Sequence, residues 1–123
     1  MNLIDSYGWI EYFAEGPLAE KYAAYIESAT RENTFTPSIV IFEVYRRLKA
    51  KRDEQMALEA YAQMTETKLV ELDDQLALAA ADIRLETRLG MADSFVLTVA
   101  RRHGAKIITS DRHFEKVPEA EVK

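Results

Sequence analysis

Apolar residues in this chain fall in short unbroken runs, separated by longer stretches where they recur every three or four positions. Residues 1–4 end apolar and stop at Asp5, which predicts a buried strand. A short helix opens at Ser6 or Tyr7 with Trp9, Ile10 and Phe13 on one face. Gly16-Pro17 ends it and opens a second helix over residues 18–32. Residues 33–36 read as a short strand. Thr36 then caps a helix with Pro37 in its first turn, along which Ile39, Phe42, Tyr45 and Leu48 recur at helical spacing. Asp53 starts a further helix with Met56, Ala60 and Met64 inward, and residues 68–72 form the next strand. Asp73 or Asp74 caps an alanine-rich helix that runs to Leu89 and ends at Gly90. A helix over residues 93–103 turns Phe95, Val96, Val99 and Ala100 inward and stops at Gly104. The apolar strand Lys106–Thr109 precedes Asp111, and residues 117–122 add an edge strand.

Strands that alternate with helices, each an unbroken apolar run, are the mark of parallel strands covered on both faces. The expectation is a three-layer α/β/α sandwich around a central parallel sheet, built as a single domain over residues 1–123.

Charge narrows the function. The net charge of −5 argues against a protein that coats nucleic acid through surplus Lys and Arg. Basic residues nevertheless cluster at Arg46, Arg47, Lys49, Lys51 and Arg52, and again at Arg101, Arg102, His103 and Lys106, so a basic rim around an acidic centre depends on how the chain folds. Without cysteine there is no disulfide and no thiolate metal site. The start of the chain lacks a basic, apolar leader, and no apolar run is long enough to span a bilayer; the expected location is the cytoplasm, with no membrane partner.

Ligands of open parallel sheets bind beyond the carboxyl ends of the strands. Asp5 and Asp111 follow two such ends, Asp93 opens a helix, and Glu43 lies on the border of a helical apolar stripe. Each has a purely structural account: Asp93 as a helix cap, Glu43 with Arg47 as an i, i+4 ion pair, Asp111 as a turn residue, Asp5 as a hydrogen-bonded structural acid. Taken together they point to chemistry. Converging carboxylates repel, and a divalent cation relieves that repulsion. All-oxygen donors select Mg²⁺ or Mn²⁺ over zinc, and such an ion activates water for phosphodiester hydrolysis. The four glycines are scattered and form no phosphate loop, and the two histidines are isolated. His103 fits a helix C-terminus, where a partly cationic imidazole is favoured, and His113 reads as a surface loop residue, with a substrate contact as the alternative. Trp9, Phe13, Phe42, Tyr45 and Phe95 stand at core spacings.

The order of the acids resembles the PIN-domain family, in particular the VapC-type toxins of prokaryotic toxin–antitoxin pairs. The resemblance is carried by Leu3-Ile4-Asp5-Ser6, Pro37-Ser38-Ile39-Val40-Ile41-Phe42-Glu43-Val44, Ala92-Asp93-Ser94-Phe95 and Ile107-Ile108-Thr109-Ser110-Asp111-Arg112-His113-Phe114. It implies a Mg²⁺- or Mn²⁺-dependent endoribonuclease acting on tRNA or rRNA. Asp5, Glu43, Asp93 and Asp111 would be its catalytic and metal-binding acids, and Ser6 and Thr109 would orient water or phosphate. It also implies a homodimer and an antitoxin whose basic or aromatic segment covers the site. Tyr7 and Arg112-His113 depart from the family pattern, which affects hydroxyl help near Asp5 and the loop rim.

Two other classes compete. A catalytically silent PIN-like module that binds protein or RNA suits the negative charge but gains nothing from clustered acids. A phosphoacceptor receiver domain needs paired acids after the first strand and a lysine after a late one, and neither pattern is present.

Overall fold

In the computed structural model, which describes residues 1–123 apart from the side chain of Val122, the chain runs β1 (Asn2–Ile4), α1 (Ser6–Phe13), α2 (Ala19–Glu27), β2 (Thr34–Pro37), α3 (Ser38–Lys51), α4 (Glu54–Met64), β3 (Lys68–Val70), α5 (Asp74–Thr87), α6 (Met91–His103), β4 (Lys106–Thr109), a 3₁₀ turn (Arg112–Phe114) and β5 (Ala120–Val122). The strands form one parallel sheet in the order β3-β2-β1-β4-β5. Right-handed crossovers put α1–α4 on one face, since β1 to β2 to β3 steps one way. They put α5 and α6 on the other, since β3 to β4 steps back. Packing agrees: α1 touches α2, α3 and α4, while α5 lies against α6. This is the expected three-layer arrangement.

The chain leaves β1 toward β2 and leaves β4 toward β5, so the sheet reverses direction between its two central strands. Helices splay apart at such a point and leave a crevice at the carboxyl edge. Register fixes what stands there. Leu3 lies beside Ile107 and Ile4 beside Ile108, so Asp5 follows on level with Thr109. Leu3, Ile4, Ile107 and Ile108 are fully buried, and Trp9, Tyr22, Leu97 and Phe114 close the core around them.

Several local expectations change. Pro37 does not lie in the first turn of a helix; it ends β2 opposite Val70 and takes the cap position of α3. A residue before proline is pushed into extended geometry, so Thr36 continues the strand, and its hydroxyl pairs with that of Thr67 at 2.6 Å instead of capping α3. The second helix stops at Glu27, five residues short of the expected 32. Ser28, Thr30 and Asn33 tie the backbone into a turn: Asn33 Oδ1 accepts from the Thr30 N–H and its amide donates to Ser28 O. The α5 helix ends through Arg88, whose φ is +64°, and not at Gly90, which instead occupies the cap position of α6.

The inward stripe of α3 is Val40, Val44 and Leu48, which displaces the expected Ile39, Phe42 and Tyr45. Phe42 is 61% exposed, while Ile39 and Tyr45 are partly buried. Two neighbouring apolar stripes run along this helix, and spacing alone does not say which one faces the sheet. Among the described residues, no helix is long and apolar enough to cross a membrane.

Ile107 sits wholly within the core, so Ile107→Ala is expected to remove about 2–5 kcal/mol of stability. Phe42→Ala should cost about 0.5 kcal/mol or less, as for a surface position. Urea denaturation of both variants checks the pair; equal losses would contradict the assigned stripe.

Candidate active site

The crevice beyond β1 and β4 is a cleft of about 410 Å³ lined by Asp5, Glu43, Asp93 and Asp111, together with Ser6, Tyr7, Glu11, Arg47, Lys51 and Arg52. Acids from four separate elements therefore face one space.

Asp5 stands at the end of β1 and at the head of α1, 4% exposed. Its Oδ1 accepts the Ser6 N–H at 2.8 Å and its Oδ2 accepts the Thr109 hydroxyl at 2.9 Å. The buried Thr109 Oγ1 also accepts the Asp111 N–H at 2.9 Å, so one hydroxyl ties the first acid to the loop carrying the last. Asp111 caps the 3₁₀ turn, accepting the His113 N–H at 2.9 Å. Asp93 lies in the first turn of α6 behind Gly90, so it is not the cap residue. Glu43 is half-buried on α3, next to the inward stripe. Among the described residues it forms no salt bridge with Arg47, so the ion-pair account of Glu43 is not the one adopted.

Electrostatics follow from this crowding. Burial pushes the Asp5 carboxyl up to about 7; the Thr109 hydrogen bond opposes this, and the charges of Asp93 and Glu43 add to it. Asp93 is pushed up to about 6, first by burial and then by Asp111, with His113 opposing and Glu43 adding. Glu43 thus acts on both Asp5 and Asp93, which ties the α3 acid to the other three.

Some contacts around the cleft were not legible in the sequence. His113 is indeed exposed, at 77%, but it is not a bystander: its Nδ1 lies 3.1 Å from Asp111 Oδ1 and 3.7 Å from Asp93 Oδ2. Asp93, Asp111 and His113 each offer a ligand atom, and these atoms lie within 4.8 Å of one another. The isolation of the histidines in sequence therefore does not hold for His113 in space. Tyr22 is fully buried and its hydroxyl pairs with Ser110 Oγ at 2.5 Å, holding the loop after β4. A Cβ on Gly8 would come within 2.5 Å of the Tyr22 ring, so only glycine lets α1 lie this close.

The two basic clusters do not converge. Arg47, Lys51 and Arg52 border the cleft, and Arg52 donates to Ala14 O at 2.7 Å, joining the ends of α3 and α1. Lys106 opens β4 beside Asn2, at the opposite edge of the sheet, and pairs with Glu121 at 3.5 Å; Arg101 pairs with Glu119 at 3.2 Å. His103 stacks on Phe35 with ring centroids 4.5 Å apart. It closes α6, as expected; burial, then Arg102 and Lys68, lower its pKa, which opposes the cationic form that a helix C-terminus favours.

A parallel α/β/α sandwich with an acidic crevice at its topological reversal presents carboxylates that could hold a divalent cation. The sequence profile of the PIN domain matches residues 3–120, and the chain belongs to the PIN-domain family. Among solved structures, a toxin–antitoxin complex from Klebsiella pneumoniae superposes with TM-score 0.81 at 20% identity, covering 99% of this chain and 97% of that one. The VapC20 toxin of Mycobacterium tuberculosis, a Sarcin-Ricin loop cleaving toxin, gives 0.79 at 16% identity over 96% and 95%. DNA-bound VapBC from Salmonella typhimurium gives 0.73 at 18% identity over 100% and 98%. At these identities the likeness is one of fold. No curated protein sequence matches the chain.

The raised Asp5 carboxyl keeps its proton on folding where the unfolded chain, with a value of 3.8, has lost it. Its contribution to stability is therefore lost as pH rises from about 4 to about 7. Metal-free Asp5→Asn protein should gain melting temperature over the parent, and the gain should grow between about pH 4.5 and about pH 7.5. Melting curves with EDTA test this, and a gain that shrinks with pH would contradict the assigned burial of charge.

Proposed function

We propose that this chain is an endoribonuclease that hydrolyses RNA phosphodiester bonds with bound Mg²⁺ or Mn²⁺, and that it is the toxin of a VapBC-type toxin–antitoxin pair. The observation that carries the reading is the convergence of Asp5, Glu43, Asp93 and Asp111 on one cleft. The donor set fits a hard divalent cation, since it is dominated by carboxylate oxygen and cysteine is absent. The upward push on Asp5 and Asp93 supports the same view, because a cation relieves the repulsion behind part of it.

Asp5, Glu43, Asp93 and Asp111 would hold the ion. When bound, it supplies an activated water and stabilises charge on the phosphoryl group. The chain's own residues do the remaining work. Thr109 fixes the Asp5 carboxylate through Oδ2, and Ser6 beside it is placed to orient a water or a phosphate oxygen. Arg47 and Lys51 follow Glu43 at one-turn intervals on the same face of α3, about 6 Å apart along the axis. They are placed to bind phosphates flanking the cut, which gives RNA a local foothold on an acidic protein. The likeness to VapC20, a Sarcin-Ricin loop cleaving toxin, supports structured RNA, tRNA or rRNA, as the target class.

Asp5→Asn should abolish cleavage of structured RNA, a loss of at least about a hundredfold, while the circular dichroism spectrum stays unchanged. The same variant should still bind RNA, and adding Arg47→Ala should lower its log–log salt slope by about 0.7. Full cleavage by Asp5→Asn, or by the parent in excess EDTA, would remove the metal mechanism.

Two protein partners belong to this reading. Exposed Leu78 and Leu85 on α5, with Met91 at the head of α6, offer an apolar face to a second copy. The acidic cleft offers a seat for a basic or aromatic antitoxin segment, and the likeness to toxin–antitoxin complexes supports that partner. Light scattering should return a dimer, and the product of an adjacent short reading frame should inhibit cleavage. A monomer removes the first partner; uninhibited cleavage removes the second.

A further inference from the structure

We infer that His113 supplies a nitrogen donor to the cation held by Asp93 and Asp111, and that this donor makes the centre select Mn²⁺ over Mg²⁺. The inference rests on the nuclease reading and goes beyond it, because that reading needs only carboxylate oxygens.

Distances carry the argument. His113 Nδ1 lies 3.1 Å from Asp111 Oδ1 and 3.7 Å from Asp93 Oδ2. Two donors bound to one ion at ~2.1 Å can stand no more than ~4.2 Å apart, so both separations fit a shared coordination sphere. One ligand atom from each of the three side chains lies within 4.8 Å of the other two, so small side-chain rotations close the set onto one ion.

The backbone builds this corner. Asp111 Oδ1 accepts the His113 N–H, and the resulting turn brings the ring two residues on back over the carboxylate that caps it. No burial holds the imidazole there, since it is 77% exposed, and the two carboxylates are the only partners of the ring among the described residues. Asp93 also faces Asp5 and Glu43 through space, so it joins this outer corner to the buried half of the cleft.

A nitrogen donor changes which ion is held. Mg²⁺ keeps oxygen ligands and several waters. Imidazole favours first-row divalent ions over Mg²⁺, with affinity rising from Mn²⁺ onward along the series. Protonated His113 in a plain ion pair with the two carboxylates would give the same distances, and experiment separates the two.

Calorimetric titration of the whole chain with Mn²⁺ and with Mg²⁺, alongside pulsed EPR of the Mn²⁺ complex, reads the ligand directly. His113→Gln and His113→Asp are carried in parallel; both change an exposed position and should fold. The parent should bind Mn²⁺ more tightly than Mg²⁺ and show nitrogen modulation from a coordinated imidazole. Both variants should lose that modulation. His113→Gln should weaken Mn²⁺ binding by about tenfold or more, the loss seen even for outer-shell partners, with Mg²⁺ binding little changed. His113→Asp should narrow the preference by strengthening Mg²⁺ binding. A parent complex that binds Mn²⁺ without nitrogen modulation, or modulation that survives in His113→Gln, overturns the inference and leaves the nuclease reading intact. Failure of the parent to bind either ion at millimolar concentration overturns both.

Discussion

The site hangs on one buried hydroxyl. Thr109 donates to the Asp5 carboxylate and accepts the Asp111 N–H, so the ends of the two central strands are fastened to each other at the mouth of the cleft. That link exists only because Leu3 pairs with Ile107 and Ile4 with Ile108. Side chains alternate across a strand, so a slip of one residue would turn Thr109 to the opposite face from Asp5. The same four residues are buried on both sides of the sheet, so a slip would also draw the Asp5 carboxylate into apolar surroundings, a costly exchange that favours the observed register. Core packing thus sets the geometry of a polar site that begins one residue further along each strand.

Holding acids this close works against folding, and the structure shows where the repulsion goes. Asp5 and Asp93 respond by holding protons more tightly, chiefly because they are buried. Hydrogen bonds to Asp5 from Thr109 and Ser6 offset part of that penalty without adding a countercharge. No arginine or lysine is spent on a salt bridge to the acids among the described residues; His113 is the one basic group at that distance. The cations of α3 stand further along the cleft, where they stay available to a ligand. A centre neutralised from within would have little reason to bind a cation, so the scarcity of internal countercharge supports the proposed metal.

Strand-end acids were legible in the sequence because both signals are local. An apolar run of four residues marks a strand, and the residue after it is where ligands bind in this architecture. The order of the strands in space was not legible: the resemblance to a known family implies a central parallel sheet but does not say which strands are neighbours. What escaped depends on partners far along the chain. Tyr22 supports Ser110 from 88 residues away, and nothing near Tyr22 marks it as part of a site. His113 is the exposed loop residue it looked like, and its proximity to Asp93 escaped because Asp93 lies on another element. The wrong stripe on α3 has a different origin: two apolar rows at helical spacing compete, and only the sheet beneath decides between Val40 and Phe42.

Glu43 is the acid least constrained by the strands, and that makes α3 the element that completes or spoils the centre. Asp5 and Asp111 are tied through Thr109, and Asp93 follows the start of α6 beside them. Glu43 is placed by the whole helix: by Val40, Val44 and Leu48 pressed inward, by Ser38 bonding Val70 O and the Leu72 N–H at one end, and by Arg52 bonding Ala14 O just beyond the other. Both ends are thus pinned by hydrogen bonds to neighbouring chain segments, and the middle is pinned by packing. A helix fixed at three points carries its face as a rigid body, so Glu43, Arg47 and Lys51 keep a constant relation to the strand-end acids. The approach of α3 to α1 is fixed at one end by Arg52 on Ala14 O, while Gly8 against the Tyr22 ring seats α1 on α2, so both contacts act from outside the acidic centre itself.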